Sequence, residues 1–127
     1  MKILLDTNFI LTCAKQKIDF AGLADEIFDG PINWIVPQEV LNELGTLKDK
    51  KGIRILDKRA AEVGFRILQQ IEPEIVELQG GNPNVDIKIV NYIAGKDIIL
   101  ATLDKNLRSR VKNKILTIRG KKHLAII

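Results

Sequence analysis

The stretch Ile98-Ile99-Leu100-Ala101-Thr102-Leu103-Asp104 decides how this chain is read. It is the most apolar short run in the sequence. It is the right length for a buried strand over Ile98–Leu103, and it ends in an aspartate. The opening residues have the same form: Lys2–Leu5 reads as a strand and runs directly into Asp6. Ile, Leu and Val dominate such runs where strands are covered on both faces.

Outward from these two strands, strand and helix signals alternate. Further strands are read at Asn33–Val36, Ile75–Leu78 and Ile115–Arg119. A helix capped by Thr7 or Asn8 runs to about Lys15. Asp19 opens a second helix, stopped by Gly30-Pro31. Pro37 starts a third, with Val40, Leu41, Leu44 and Leu47 along one face. A fourth runs from about Asp57 to Ile71. Asn84 caps a fifth, which runs to Tyr92 or Ala94 and has Gly95 as its stop. A sixth covers Lys105–Asn113. Strands alternating with helices predict one α/β domain over residues 1–127: three layers, α/β/α, around a central, mostly parallel five-stranded sheet. Ligands of such sheets bind at the carboxyl ends of the strands, near the point where strand order reverses.

Composition narrows the classes of function. The 127 residues are 46% hydrophobic and 28% charged, which suits a folded domain rather than a disordered chain. No apolar run approaches the roughly 20 residues of a membrane span. The start is too short, and too soon interrupted by Asp6, to read as a signal peptide. The one cysteine, Cys13, forms no internal disulfide and fits a reducing cytoplasm. The one histidine, His123, lies near the end, so neither a His-rich metal site nor a Ser-His-Asp machine fits. Net charge is +4, and from Lys105 onward there are basic residues but no Asp or Glu. That excess suits an anionic partner, and equally a solvated face.

The carboxylates carry the chemistry. Asp6 and Asp104 both follow strands and so fall at the carboxyl edge of the sheet; either also suits a helix N-cap. Asp86 falls within the apolar arc of its helix, beside Ile89 and Ile93. A carboxylate facing the core costs several kcal/mol unless it is paired or bound to a cation. On the third helix, Glu43 flanks the apolar stripe while Glu39 turns further towards solvent, so Glu43 is the better candidate for the same edge. Four carboxylates converging there repel one another and raise one another's pKa values. A hard divalent cation relieves the conflict, and an all-oxygen donor set suits Mg²⁺ or Mn²⁺. An acidic cage around such an ion, in a basic protein, is an arrangement for phosphodiester cleavage.

The order of these pieces resembles the PIN-domain nucleases. Asp6-Thr7-Asn8 matches the family's opening motif, Glu43-Leu44 its second and Asp86 its third. Thr102-Leu103-Asp104 matches the fourth. The third motif departs, because many relatives carry a second acid near that aspartate whereas here Ile87 and Lys88 follow. Length and ending look most like archaeal single-domain members, related to the nucleases of ribosomal small-subunit processing and also named as VapC-type toxins. The resemblance implies an Mg²⁺- or Mn²⁺-dependent endoribonuclease with Asp6, Glu43, Asp86 and Asp104 as catalytic and metal-binding residues. It implies that Asn8 and Thr102 hold the aspartates in place, and that Arg108, Arg110 and Lys112, on the helix after Asp104, contact RNA phosphates. It also implies a homodimer, held by Phe9, Ile10 or Phe20 on the early helices, and, for a toxin, an antitoxin partner.

Other phosphate-handling α/β domains fit less well. A receiver domain needs an aspartate after strand three, where this chain has Leu78-Gln79-Gly80. A dehalogenase-type phosphatase needs Asp-x-Asp where this chain has Asp6-Thr7-Asn8. No Walker-type loop is present. The remaining alternative is a PIN-like module that binds RNA or protein without cleaving.

Overall fold

Along β1 (Lys2–Leu5) successive side chains enter two different cores. Ile3 and Leu5 join one, and Leu4 joins the other. The same alternation holds in β2 (Asn33–Pro37), where Trp34 and Val36 lie opposite Ile35, and in β4 (Ile98–Ala101), where Ile99 and Ala101 lie opposite Ile98 and Leu100. A strand pleat sends neighbours to opposite faces, so strands apolar at every position must be covered twice. The computed structural model, which describes residues 1–127, covers them with two helical layers.

On one face lie α1 (Thr7–Gln16), α2 (Phe20–Ile27), α3 (Gln38–Asp49) and α4 (Ile55–Ile71), around the larger core. Gly64 on α4 is buried where α1 and α3 approach; a Cβ there would lie 2.9 Å from Ile10 Cγ2. On the other face lie α5 (Val85–Ile93) and α6 (Lys105–Ser109), around Ile89, Ile93 and Leu107. The three-layer α/β/α architecture is as the sequence predicts.

The sheet has six strands rather than five. Its order is β3-β2-β1-β4-β5-β6, with β3 over Glu74–Val76, β5 over Ile115–Arg119 and β6 over His123–Ile126. The first five are parallel, and β6 returns antiparallel on β5. Gly120 and Lys122, both at positive φ, make the reversal between them. Strand order turns back at β1, which has β2 on one side and β4 on the other.

Several boundaries move. The first helix is capped by Asp6, not by Thr7 or Asn8. β4 ends at Ala101, and β3 ends before Leu78. The helix after Asp104 stops at Ser109, so Arg110 is its C-cap and Lys112 lies beyond it. Phe9, Ile10 and Phe20 are fully buried, Phe20 edge-on to both Phe9 and Trp34. They are core residues, and a homodimer cannot be held by them. No helix is long and apolar enough to cross a membrane.

Candidate active site

The carboxyl ends of β1 and β4 meet where strand order reverses, and Asp6 stands there. Its backbone N–H donates to Ala101 O at 3.1 Å, extending the ladder between the two strands by one rung. The side chain is 5% exposed. Oδ1 accepts from Thr7 N at 2.8 Å and so caps α1, while Oδ2 accepts from the Thr102 hydroxyl at 2.8 Å. The cap and the site therefore coexist in one carboxylate.

Thr102 is wholly buried just past β4. Its Oγ1 also accepts from Asp104 N at 3.1 Å. One hydroxyl thus fixes the Asp6 carboxylate and the backbone that carries Asp104. Asp104 caps α6 with Oδ1, which accepts from Asn106 N at 2.8 Å and Leu107 N at 3.1 Å. Its other oxygen makes no hydrogen bond within the protein, which leaves it for solvent or a ligand.

Electrostatic coupling links the four acids. Burial, then repulsion from Asp86 and Glu43, pushes the Asp6 carboxyl from 3.8 up to about 6, against the hydrogen bonds from Thr102 and Thr7. Burial also raises Glu43, with Asp86 adding to it. Asp86, half-buried on the first turn of α5, is raised by desolvation and by Asp104, while Arg110 opposes the shift. The repulsion runs through Asp86, which acts on Asp6 and Glu43 and is itself raised by Asp104, so the four acids, from four separate elements, form a chain of neighbours.

Thr7 is a participant that its reading as a cap alone overlooks. Its Oγ1 is buried without a partner of good hydrogen-bond geometry, yet it faces Glu43 closely enough to offset part of that residue's upward shift. The signal lay in the Asp6-Thr7-Asn8 triplet itself. Asn8, by contrast, is exposed and makes no hydrogen bond to either aspartate. Glu39 is more enclosed than Glu43, not less. It accepts from Leu78 N at 3.3 Å and pairs with Lys88 at 3.7 Å, tying α3 to the segment before α5 and to α5 itself.

Among the basic residues, Arg110 reaches the site through its influence on Asp86. Lys112 does not. It lines a cleft with Lys96, Asp97 and Lys114 at the amino end of the sheet, because the chain leaves α6 after Ser109 and runs to the start of β5.

The donor chemistry fits a hard divalent cation. The acids and the Thr102 hydroxyl around Asp6 offer oxygen donors only. Softer ligands are elsewhere: Cys13 is buried in the core with its thiol pushed up to about 12, and His123 is exposed on β6. No three of the acids are gathered at the spacing of metal ligands. Rotation of Glu43, Asp86 and Asp104 about the fixed Asp6 would have to close the set.

Known proteins share this framework. The PIN domain endonuclease Utp24 superposes with a TM-score of 0.78 at 25% identity, over 98% of this chain and 90% of that one. VapBC2 from Rickettsia felis, solved bound to a DNA fragment from its promoter, gives 0.64 at 17% identity, over 94% and 100% of the two chains. A domain of a functionally unknown protein from Methanocaldococcus jannaschii gives 0.58 at 16% identity, over 94% and 91%. A comparison of sequence alone with curated proteins finds no match. The model of the PIN like domain family matches residues 3–121, a span that holds all four acids, and the chain belongs to that family.

Proposed function

We propose that this protein is a divalent-metal-dependent endoribonuclease. What supports the reading is Asp6 at the switch point of the sheet, raised to about 6 by burial and by Asp86 and Glu43, with Asp86 in turn raised by Asp104. A buried acid with other acids for neighbours suits a cation more than a packing role. The likeness to a PIN domain endonuclease supports nuclease activity in general.

Asp6, Asp86 and Asp104 would hold Mg²⁺ or Mn²⁺, and Glu43 would reach it directly or through water. When bound, such an ion supplies positive charge to the scissile phosphate and a more acidic water. The protein's own contribution is orientation. Thr102 locks the Asp6 carboxylate and the Asp104 backbone in one frame, and Thr7 steadies Glu43. Arg110 would meet a phosphate beside Asp86, and Arg108 stands on the short helix that Arg110 caps.

Two cellular roles suit this activity, a cytoplasmic processing nuclease acting on ribosomal RNA precursors and a VapC-type toxin restrained by an antitoxin. Binding of a cognate antitoxin over the acidic cleft distinguishes them. A binding module without cleavage is the second reading, favoured by the open spacing of the acids.

The test incubates labelled single-stranded RNA with the protein in Mg²⁺, in Mn²⁺ and in EDTA, beside an Asp6→Asn, Asp104→Asn double variant. Metal-dependent cleavage that the variant lacks supports the nuclease. RNA binding without cleavage in either metal favours the binding module.

A further inference from the structure

The basic residues left over from the acidic site are not scattered. Where the chain has left α6, Arg110 and Lys112 line a single cleft with Val90 of α5 and Gly95. Lys112 continues into a second cleft, lined also by Lys96 and Lys114. Lys96 continues into a third, with Lys2. Shared residues place these hollows side by side, in a path that starts at Arg110, follows the loop after α6 and ends at the amino ends of β4 and β1.

None of these five cations is ion-paired; the salt bridges of the protein engage Lys15, Arg54 and Lys88 instead. Asp97 is the one acid lining the path, and it too has no salt-bridge partner. Unpaired cations along a groove are complementary to an extended polyanion.

The path is also held in shape. Asn113 Nδ2 reaches the carbonyls of Ile93, Lys96 and Ile98 at 3.1, 3.0 and 2.8 Å. That one amide ties the turn carrying Lys96 to the loop carrying Lys112 and Lys114. Lys96 Nζ lies 4.0 Å from the centre of the half-buried Tyr92 ring, which steadies that cation at the edge of the groove. Cations spaced along a groove suit the phosphates of an extended single strand.

We propose that this path is a second RNA-binding surface, on which the backbone of a single strand continues from the acidic site to the amino edge of the sheet. The inference rests on the nuclease reading for its substrate, but binding alone tests it. The protein would therefore discriminate by length, holding a long single strand more tightly than one that spans only the acidic site.

The experiment measures fluorescence anisotropy in EDTA, so that no RNA is cut, with single-stranded RNAs of about 6 and about 24 nucleotides. Wild type is compared with a Lys2→Gln, Lys96→Gln, Lys114→Gln variant and with the corresponding triple Arg variant; thermal melting checks that each is folded. For the long RNA, the Gln variant should bind about tenfold more weakly, and its plot of log affinity against log salt should flatten by about 2, from three contacts at ~0.7 each. The short RNA should be little affected, and the Arg variant should bind like wild type. Equal affinity of wild type for short and long RNA, or an unchanged salt slope in the Gln variant, overturns the second surface. Neither result bears on cleavage, which the metal-dependence test decides separately.

Discussion

The Thr102 hydroxyl donates to Asp6 Oδ2 at 2.8 Å across 96 residues of sequence, and the same oxygen accepts from Asp104 N at 3.1 Å. Thr102→Val keeps the shape and removes both bonds. A buried carboxylate oxygen and a backbone N–H then lose their partner, at a cost of about 1–3 kcal/mol. The Asp6 carboxyl should titrate still higher, since the bond from Thr102 now holds it down. The acid limb of the pH–rate profile should shift towards alkaline pH. Thr102→Ser should restore it, which separates positioning from mere packing.

Asp6→Asn should stabilise the protein at neutral pH while abolishing activity. The Asp6 carboxyl rises from 3.8 to about 6 on folding. Between those values the folded form keeps a proton that the unfolded form has lost. Stability therefore falls as pH rises through the window, and the penalty is complete above about pH 6. A shift of this size corresponds to roughly 3 kcal/mol. Loss of one accepted hydrogen bond leaves a net gain of about 1–2 kcal/mol near pH 7. The gain should disappear near pH 4 in urea melts.

Mn²⁺ or Mg²⁺ should raise the melting temperature of the wild type by several degrees at neutral pH, through binding to the folded state alone. The increment should shrink near pH 5, where protons compete for Asp6. The Asp6→Asn, Asp104→Asn variant should show no increment at either pH. An equal rise in the variant would locate the ion elsewhere.

Glu39 and Glu43, one helical turn apart, should separate cleanly. Glu39→Ala removes the acceptor for Leu78 N and the partner of Lys88, and should cost about 1–2 kcal/mol in denaturant melts with little effect on kcat. Glu43→Gln relieves repulsion with Asp86, and should hold or raise stability while lowering kcat.

Gly64→Val tests the close approach of α4. Even the first added carbon lies 2.9 Å from Ile10 Cγ2. Overpacking of about 1–3 kcal/mol should appear as a lower melting temperature. Ile10→Ala in the same chain should recover part of it.

What could be read from sequence follows from which forces are local. Strands such as Ile98–Ala101 announce themselves because burial on both faces demands an unbroken apolar run. Asp19 and Asn84 announce helices because capping is settled within three residues. β6 escaped, because His123-Leu124-Ala125-Ile126 is half exposed and gains its identity only from pairing with β5. The last helix ends sooner than its pattern predicts, because Leu107 and Val111 keep helical spacing although the chain has already turned at Arg110. Phe9, Ile10 and Phe20 suited an exposed interface in sequence; they are interior because four helices share that face of the sheet. Glu39 and Glu43 could not be ranked by helical angle alone, since the segment that encloses Glu39 arrives from Leu78, 39 residues further on.

The strand order carries a consequence for how the protein is made. β1 comes before the other five strands in sequence and lies inside the finished sheet, yet its partner on one side, β4, begins only at Ile98. Parallel neighbours so distant in sequence pair slowly, and only after the intervening chain exists. An emerging polypeptide therefore holds Asp6 and Glu43 long before Asp104 can join them. Truncated or stalled products lack the fourth acid and its Thr102 tether altogether. On the ribosome the set of four acids is therefore complete only once Asp104 has been translated.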